Sequence, residues 1–273
     1  MATNRWPDPQ DEHAYWLAGQ RLLAGQPLYD PAASAVTPFA YWYPPPLAQF
    51  VAPISALLPS SAFSWAWTAL LLGCLLLLAR GRPLIALALV VFIPVAVELW
   101  FRNVHLILAA MLALAILRWP WLFAIGAIVK VAPGLGIVYL ALRGRWRDVA
   151  VSVAVGAAVV LVSLALDPRL WAEFIETVRA RGPGDVSGVV PVPYAVRAAA
   201  GLVVTVIAAR IRPQVGEPLL IVAVVVASPT LWVDALSMLV AIVPVIVVRR
   251  SGGTFVGWAR GYRRTNTTPT GSS

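Results

Sequence analysis

Ser61-Ala62-Phe63-Ser64-Trp65-Ala66-Trp67-Thr68-Ala69-Leu70-Leu71-Leu72-Gly73-Cys74-Leu75-Leu76-Leu77-Leu78 runs directly into Ala79-Arg80-Gly81-Arg82. Residues 61–78 carry no charged side chain, and a membrane crossing takes roughly 20 apolar residues. The arginines that close the run mark a cytoplasmic end, because short basic loops stay inside. That places residues 1–60 outside and sets the direction of every later segment. Of the 273 residues, 60% are hydrophobic and 12% charged, against about 25% charged in soluble domains. The chain therefore reads as all-α, a polytopic transmembrane bundle of about eight to nine membrane helices.

Upstream of this span the composition changes. Residues 1–46 hold Asp11-Glu12-His13-Ala14-Tyr15-Trp16, Leu28-Tyr29-Asp30-Pro31 and Tyr41-Trp42-Tyr43-Pro44-Pro45-Pro46. Carboxylates, rings and stiff proline turns at the membrane surface suit the handling of a polar head group, and we read 1–46 as an extracytoplasmic catalytic loop region. A helix over 13–25 ends at Gly25. Residues 47–58 are too short to cross and contain Pro53, which predicts a re-entrant or interfacial helix. No signal peptide is expected before Asp11, since residues 1–10 are polar and include Pro7 and Pro9.

Downstream, residues 47–250 form the transmembrane helical domain. Pro83–Trp100 is expected to return outward, 101–105 to form an outer loop, and 104–117 to go back in to Arg118. Arg118 and Arg143/Arg145/Arg147 then both belong inside, yet only the apolar stretch 119–142 separates them. Two half-length helices meeting at Lys130-Val131-Ala132-Pro133-Gly134 resolve this as a broken hairpin, because irregular backbone at membrane depth is tolerated where it faces protein or a wet cavity. Val149–Leu166 runs outward, and an outer loop 167–190 contains the amphipathic stretch Asp167–Arg181 and the flexible Gly182-Pro183-Gly184. Tyr194–Ala209, Pro218–Ala227 and Leu231–Val248 complete the spans. The tail 251–273, rich in Gly, Ser and Thr, reads as a disordered cytoplasmic segment.

The net charge of +9 does not indicate nucleic acid, because the arginines cluster in short loops and the tail. Cys74 stands alone, so cysteine usage says nothing of compartment. Walker, Gly-x-Ser-x-Gly and Cys/His metal signatures are absent from the sequence, and Asp8-x-x-Asp11 is too weak to claim a metal site.

On this topology the outer side collects the chemistry. Lys130 is the single lysine against twenty arginines, and a cation inside a span is costly enough to need a purpose. It is either a phosphate or pyrophosphate contact or a side chain snorkelling to the interface. Asp11 and Tyr15 share a helix face; Asp11 is either a general base taking a proton from a sugar hydroxyl or a helix cap. Arg102, Asn103 and His105 sit at the mouth of two spans, Arg102 to bind phosphate or anchor a helix end and His105 to bind a hydroxyl. Asp234, after Ser228-Pro229, needs a partner, with Arg102 or Lys130 as candidates. The twelve tryptophans suit an interface belt, with Trp16 and Trp42 the exceptions worth testing as sugar platforms.

The ordered set resembles glycosyltransferase family 87, the polyprenyl-phosphate-mannose-dependent mannosyltransferases of the GT-C superfamily. It comprises Asp11-x-x-x-Tyr15, Leu-Ala-Gly25 with Leu28-Tyr29, Tyr43-Pro44-Pro45 with Leu58-Pro59, Asn103-Val104-His105, Lys130-Val131-Ala132-Pro133, and Ser228-Pro229 with Trp232 and Asp234. The resemblance implies an inverting transfer of a hexose, mannose by family likeness, from a polyprenyl-phosphate-sugar donor to an envelope glycolipid or glycan acceptor. Asp11 would be the base. Tyr15, Tyr29, Tyr43, Arg102, Asn103, His105, Lys130 and Asp234 would bind substrate. Neither a cofactor nor a metal nor a nucleotide sugar is implied. The site would face the extracytoplasmic side of a bacterial inner membrane, in a chain lacking the family's first transmembrane helix, since Met1 lies only ten residues before Asp11. A non-catalytic or transporter-like protein that binds lipid-linked sugar, or a structural membrane subunit, would carry similar spans.

Overall fold

The computed structural model describes residues 11–30, 32–33, 37, 39–182 and 188–251. The expected tail beyond Ser251 and the Pro183-Gly184 step lie outside them. Among the described residues there is no β-strand, only an isolated parallel bridge between Gly188 and Leu231.

The front end forms a helical pair. α1 (Asp11–Leu23) begins two residues before the expected start, with Asp11 and Glu12 in the first turn, where carboxylates suit the helix dipole. It packs along α2 (Pro45–Leu57), whose prolines supply the N-terminal turn without needing backbone donors. A Cβ on Gly19 would meet the Ser55 hydroxyl and lie 3.0 Å from the Ala52 Cα, so the glycine is what lets the two backbones approach. Gln20 Nε2 donates to the Ser55 carbonyl at 2.6 Å and Trp16 Nε1 to the Leu58 carbonyl at 2.9 Å. Trp16 is thus committed to the packing of α1 on α2.

α3 (Ser60–Leu78) is long and apolar enough to cross a membrane and runs into Arg80 and Arg82. The segment expected as one span after it is broken into α4 (Pro83–Val90) and α5 (Ile93–Phe101), bent by 90°. Pro94 accounts for the break, since it offers no N–H and its ring clashes with a carbonyl four residues back. α6 (His105–Leu117) lies at the centre, with Leu106, Leu108, Ala109, Leu112 and Ala115 buried, against α3, α5 and α7.

α7 (Leu122–Val129) and α8 (Leu135–Leu142) flank Lys130 and a 3-10 turn at Ala132–Gly134. The Phe123 ring lies on Gly136, and a Cβ on Gly126 would stand 3.0 Å from the Pro133 ring. The two residue pairs nest one inside the other, as strands of a hairpin do, so the half-helices run antiparallel. The break falls at the expected Lys130–Gly134.

α9 (Trp146–Leu166) has a mean hydropathy of 2.7 in its best window, only 11% of which is buried, the signature of a helix whose neighbour is lipid. Over about 30 Å it runs from the Arg145–Asp148 pair to α10 (Arg169–Arg181). α11 (Tyr194–Arg210) and α12 (Pro213–Val226) close tightly through Gly201 against Ala227 and Gly216 against the Ala208 carbonyl. The last expected span, Leu231–Val248, is not one α-helix. Val233–Ala241 is 3-10, and α13 (Ile242–Ser251) follows, with Pro244 in its first turn.

Among the described residues two helices, α3 and α9, are long and apolar enough to cross a membrane, or three spans if the bent α4–α5 pair counts as one. The others fall short of the eight or nine expected because proline and 3-10 breaks divide the apolar runs. Thirteen residues in α6 reach only about 20 Å, against a hydrocarbon core of about 30 Å. The apolar helices make the protein membrane-associated.

Candidate active site

The break between α5 and α6 builds the site. Arg102 ends α5 in a left-handed conformation (φ 55°), which turns the chain so that Asn103 points into the bundle. Asn103 is 8% exposed and its side chain uses its full capacity. Its Nδ2 donates to Asp11 Oδ2 at 2.8 Å and to Asp234 Oδ2 at 3.1 Å. Its Oδ1 lies 3.0 Å from the Tyr15 hydroxyl, 2.8 Å from the Tyr43 hydroxyl and 2.7 Å from the Val104 N–H. Trp67 Nε1 donates to its backbone carbonyl at 3.3 Å. One amide thus ties α1, the Tyr43 step and the Asp234 segment together.

A second line of contacts leaves the same cluster. His105 Nδ1 is 2.9 Å from Glu98 Oε2 and 3.4 Å from Asp234 Oδ2, and its Nε2 is 2.6 Å from Lys130 Nζ. Lys130 also stands 5.6 Å from the centre of the Tyr43 ring. Asp234 Oδ1 accepts from the Ala235 N–H at 3.0 Å, which fixes the carboxylate at the head of its 3-10 segment.

The structure therefore brings together Asp11, Tyr15, Tyr43, Asn103, His105, Lys130 and Asp234 from among the sequence-predicted residues. It leaves two aside. Tyr29 supports Tyr43 from behind: its hydroxyl donates to the Tyr43 carbonyl at 2.8 Å and its ring packs on Tyr41 and Phe174. The Arg102 guanidinium is bonded to Glu12 Oε1 at 2.5 Å, which also accepts from the Ser64 hydroxyl at 3.1 Å. Of the two candidate partners for Asp234, Arg102 pairs with Glu12 and Lys130 reaches Asp234 through His105; His105, Asn103 and the Ala235 N–H are its direct partners. Trp42 carries the Arg181 guanidinium 3.5 Å above its ring.

Glu98, 0% exposed, escaped the sequence reading. It left a signal: a carboxylate in the apolar run 83–100 needs a buried partner as much as Lys130 does. Glu12, 2% exposed, was collected on the outer side with no partner assigned to it.

Burial, and next the charge of Asp234, push the Asp11 carboxyl up from its ordinary 3.8 to about 7; Lys130 and His105 act the other way. Burial likewise drives the Tyr15 and Tyr43 phenols well up, so both remain hydrogen-bond donors at neutral pH. A carboxyl poised near 7, partly exposed and held by an amide, is equipped to take a proton from a hydroxyl.

Glu98, His105 and Asp234 place one potential ligand atom each within 4.8 Å of one another. The same atoms can instead share a hydrogen on Nδ1 of His105, whose other nitrogen lies against Lys130.

The family model of glycosyltransferase family 87 matches residues 41–259. The chain belongs to glycosyltransferase family 87. No curated protein and no solved structure matches it. Family 87 membership makes the chain a glycosyltransferase, and the matched stretch holds Tyr43, Asn103, His105, Lys130 and Asp234. Asp11 and Tyr15 lie ahead of that stretch and join these residues through the hydrogen bonds of Asn103.

Proposed function

We propose that this glycosyltransferase moves a hexose, mannose by family likeness, from a polyprenyl-phosphate-sugar donor to an envelope glycolipid or glycan. It works as a multi-pass protein on the extracytoplasmic face of a bacterial inner membrane. Residues 1–46 supply the catalytic loop region, 47–250 the transmembrane domain and 251–273 a cytoplasmic tail. The acceptor hydroxyl attacks the anomeric carbon as its proton passes to Asp11. The bond from that carbon to the phosphate oxygen breaks, and the leaving lipid phosphate carries away the electron pair. A single displacement of this kind inverts the anomeric centre. Lys130 meets the negative charge that grows on the phosphate, where a preorganised donor has most effect. Tyr15, Tyr43, Asn103, His105 and Asp234 shape the sugar pocket, and the chemistry calls on neither cofactor nor metal.

The observation that carries this reading is the approach of a carboxylate base and a lysine to one buried cluster: Asp11 and Asp234 share Asn103, and Asp234 and Lys130 share His105. A cell-free assay of the purified chain with radiolabelled polyprenyl-phosphate hexoses tests it. Transfer from such a donor supports the reading. Transfer from a nucleotide sugar instead overturns the donor, and donor binding without transfer assigns the chain to the non-catalytic, transporter-like alternative.

A further inference from the structure

Three of the described arginines are each paired directly with a carboxylate. Arg102 is bonded to Glu12, Arg145 to Asp148 and Arg249 to Glu217, at 2.5, 2.7 and 2.6 Å. In each pair a carboxylate neutralises the guanidinium by direct contact. Lys130 is held differently. Its Nζ touches an imidazole nitrogen at 2.6 Å, and the carboxylate stands one ring further away, Glu98 Oε2 on the opposite nitrogen at 2.9 Å.

The hydrogen positions follow from the donor inventory. Glu98 and Asp234 both present carboxylate oxygens to His105 Nδ1, so that nitrogen is the donor. Nε2 is then the lone pair that meets Lys130 Nζ in the short contact on the other side. The lysine is thereby fixed in direction by a ring and not by a carboxylate.

Glu98 is itself fixed. It is 0% exposed, and its Oε1 accepts from the Leu106 N–H at 3.2 Å, one of the donors that the first turn of α6 leaves without a helical partner. The backbone of Lys130 is fixed as well, extended at the break of the α7–α8 hairpin with its N–H bonded to the Gly126 carbonyl at 2.8 Å. Helix terminus, carboxylate, imidazole and ammonium form one rigid line.

We infer that Glu98 is the positioning residue for the phosphate-binding cation: it sets the His105 tautomer, and His105 aims Lys130 at the lipid phosphate without neutralising it. Glu98 touches no substrate and acts through His105. The inference rests on the proposed lipid-phosphate donor for its consequence, though not for its geometry. In Glu98→Gln the amide can still accept from the Leu106 N–H, which preserves the turn. Its NH2 group faces Nδ1 and favours the other tautomer, which presents an Nε2–H to the ammonium and turns Lys130 away.

The chain has two histidines and one lysine, so selective labelling reads each group directly. In the full chain with 15N-histidine, and His13→Gln for assignment, NMR should show His105 protonated at Nδ1 and unprotonated at Nε2. Glu98→Gln should change both His105 signals and move the single Lys130 Nζ signal. Glu217→Gln, which removes a buried carboxylate elsewhere, should leave all of them in place. With the lipid-phosphate donor, Glu98→Gln should raise KM about tenfold to a hundredfold, the range for losing a partner that orients a binding group. Loss of folded protein would lower kcat and leave KM alone. An Nε2–H tautomer in the unaltered chain, His105 and Lys130 signals unmoved by Glu98→Gln, or a fall in kcat with KM unchanged overturns the inference. The NMR spectra need no donor, so a chain that transfers nothing from lipid phosphate defeats the proposed function and still leaves the tautomer measurement to decide the role of Glu98.

Discussion

Asn103 donates from Nδ2 to Asp11 Oδ2 at 2.8 Å, joining two residues 92 positions apart in the chain. The same nitrogen reaches Asp234 at 3.1 Å, so one amide keeps two carboxylates side by side. Asn103→Asp would put a third carboxylate between them and strip both of their donor. That variant is expected to lose transfer and to melt at a lower temperature. Asn103→Leu should cost about 1–3 kcal/mol for each buried polar group left without its partner. Thermal unfolding in detergent checks both, and an unchanged melting temperature would count against the amide as the tie.

Asp11→Asn should slow transfer while keeping the fold. General-base catalysis contributes about 10²–10⁴-fold, so kcat should fall by that order with donor binding retained. Stability should move the other way. The carboxyl's value is raised in the folded state from 3.8 to about 7, so the folded chain binds the proton more tightly than the unfolded one. Its contribution to stability is fully present below pH 3.8 and is lost as pH rises through 7. Asp11→Asn, which has nothing to ionise, should therefore flatten the stability profile between those limits.

The rate should titrate with the same group. A base must be ionised to work, so kcat/KM is expected to rise with pH through about 7 and to drop about tenfold per unit below it. An acid limb near the ordinary carboxylate value of 3.8 would show that Asp11 is not the base.

How far the sequence reaches depends on the range of the interaction. Asp11-x-x-x-Tyr15 and the break at Lys130–Gly134 were legible because helical periodicity and a Pro-Gly pair are local signals, and both stand where the spacing put them. The partners of Arg102 and Glu98 were not legible. Glu12 lies 90 positions from Arg102, and nothing local announces which of several carboxylates a half-buried guanidinium will take. The 90° bend at Pro94 and the 3-10 run Val233–Ala241 were hidden for another reason. An unbroken apolar composition reads as one span, whereas proline and packing decide whether the backbone stays helical. The hydrogen bond from Tyr29 to the Tyr43 carbonyl was hidden as well, because a tyrosine beside a proline turn looks the same in sequence whichever way its ring faces.

Phe123 and Gly136 should behave as a coupled pair. The ring rests where a Cβ on Gly136 would stand, so Gly136→Ala should force α7 and α8 apart, at about 1–3 kcal/mol for overpacking, and displace Lys130. Adding Phe123→Leu should restore most of the stability. Melting temperatures of the two single variants and the double variant check this; strictly additive losses would rule out the contact.

Arg102→Met should destabilise far more than it weakens donor binding, because it leaves Glu12, 2% exposed, without its countercharge. Adding Glu12→Gln should recover stability. If Arg102→Met instead raises the donor KM with an unaltered melting temperature, Arg102 contacts phosphate as the sequence first suggested.

The most direct measurement pairs two variants of the purified chain with a radiolabelled polyprenyl-phosphate hexose, following donor binding and transfer separately. Asp11→Asn should bind donor and transfer about 10²–10⁴-fold more slowly, and Lys130→Met should lose donor affinity. Undiminished transfer in Asp11→Asn, or donor affinity unchanged in Lys130→Met, would contradict the claim that a base and a phosphate-binding cation meet at one lipid-borne sugar.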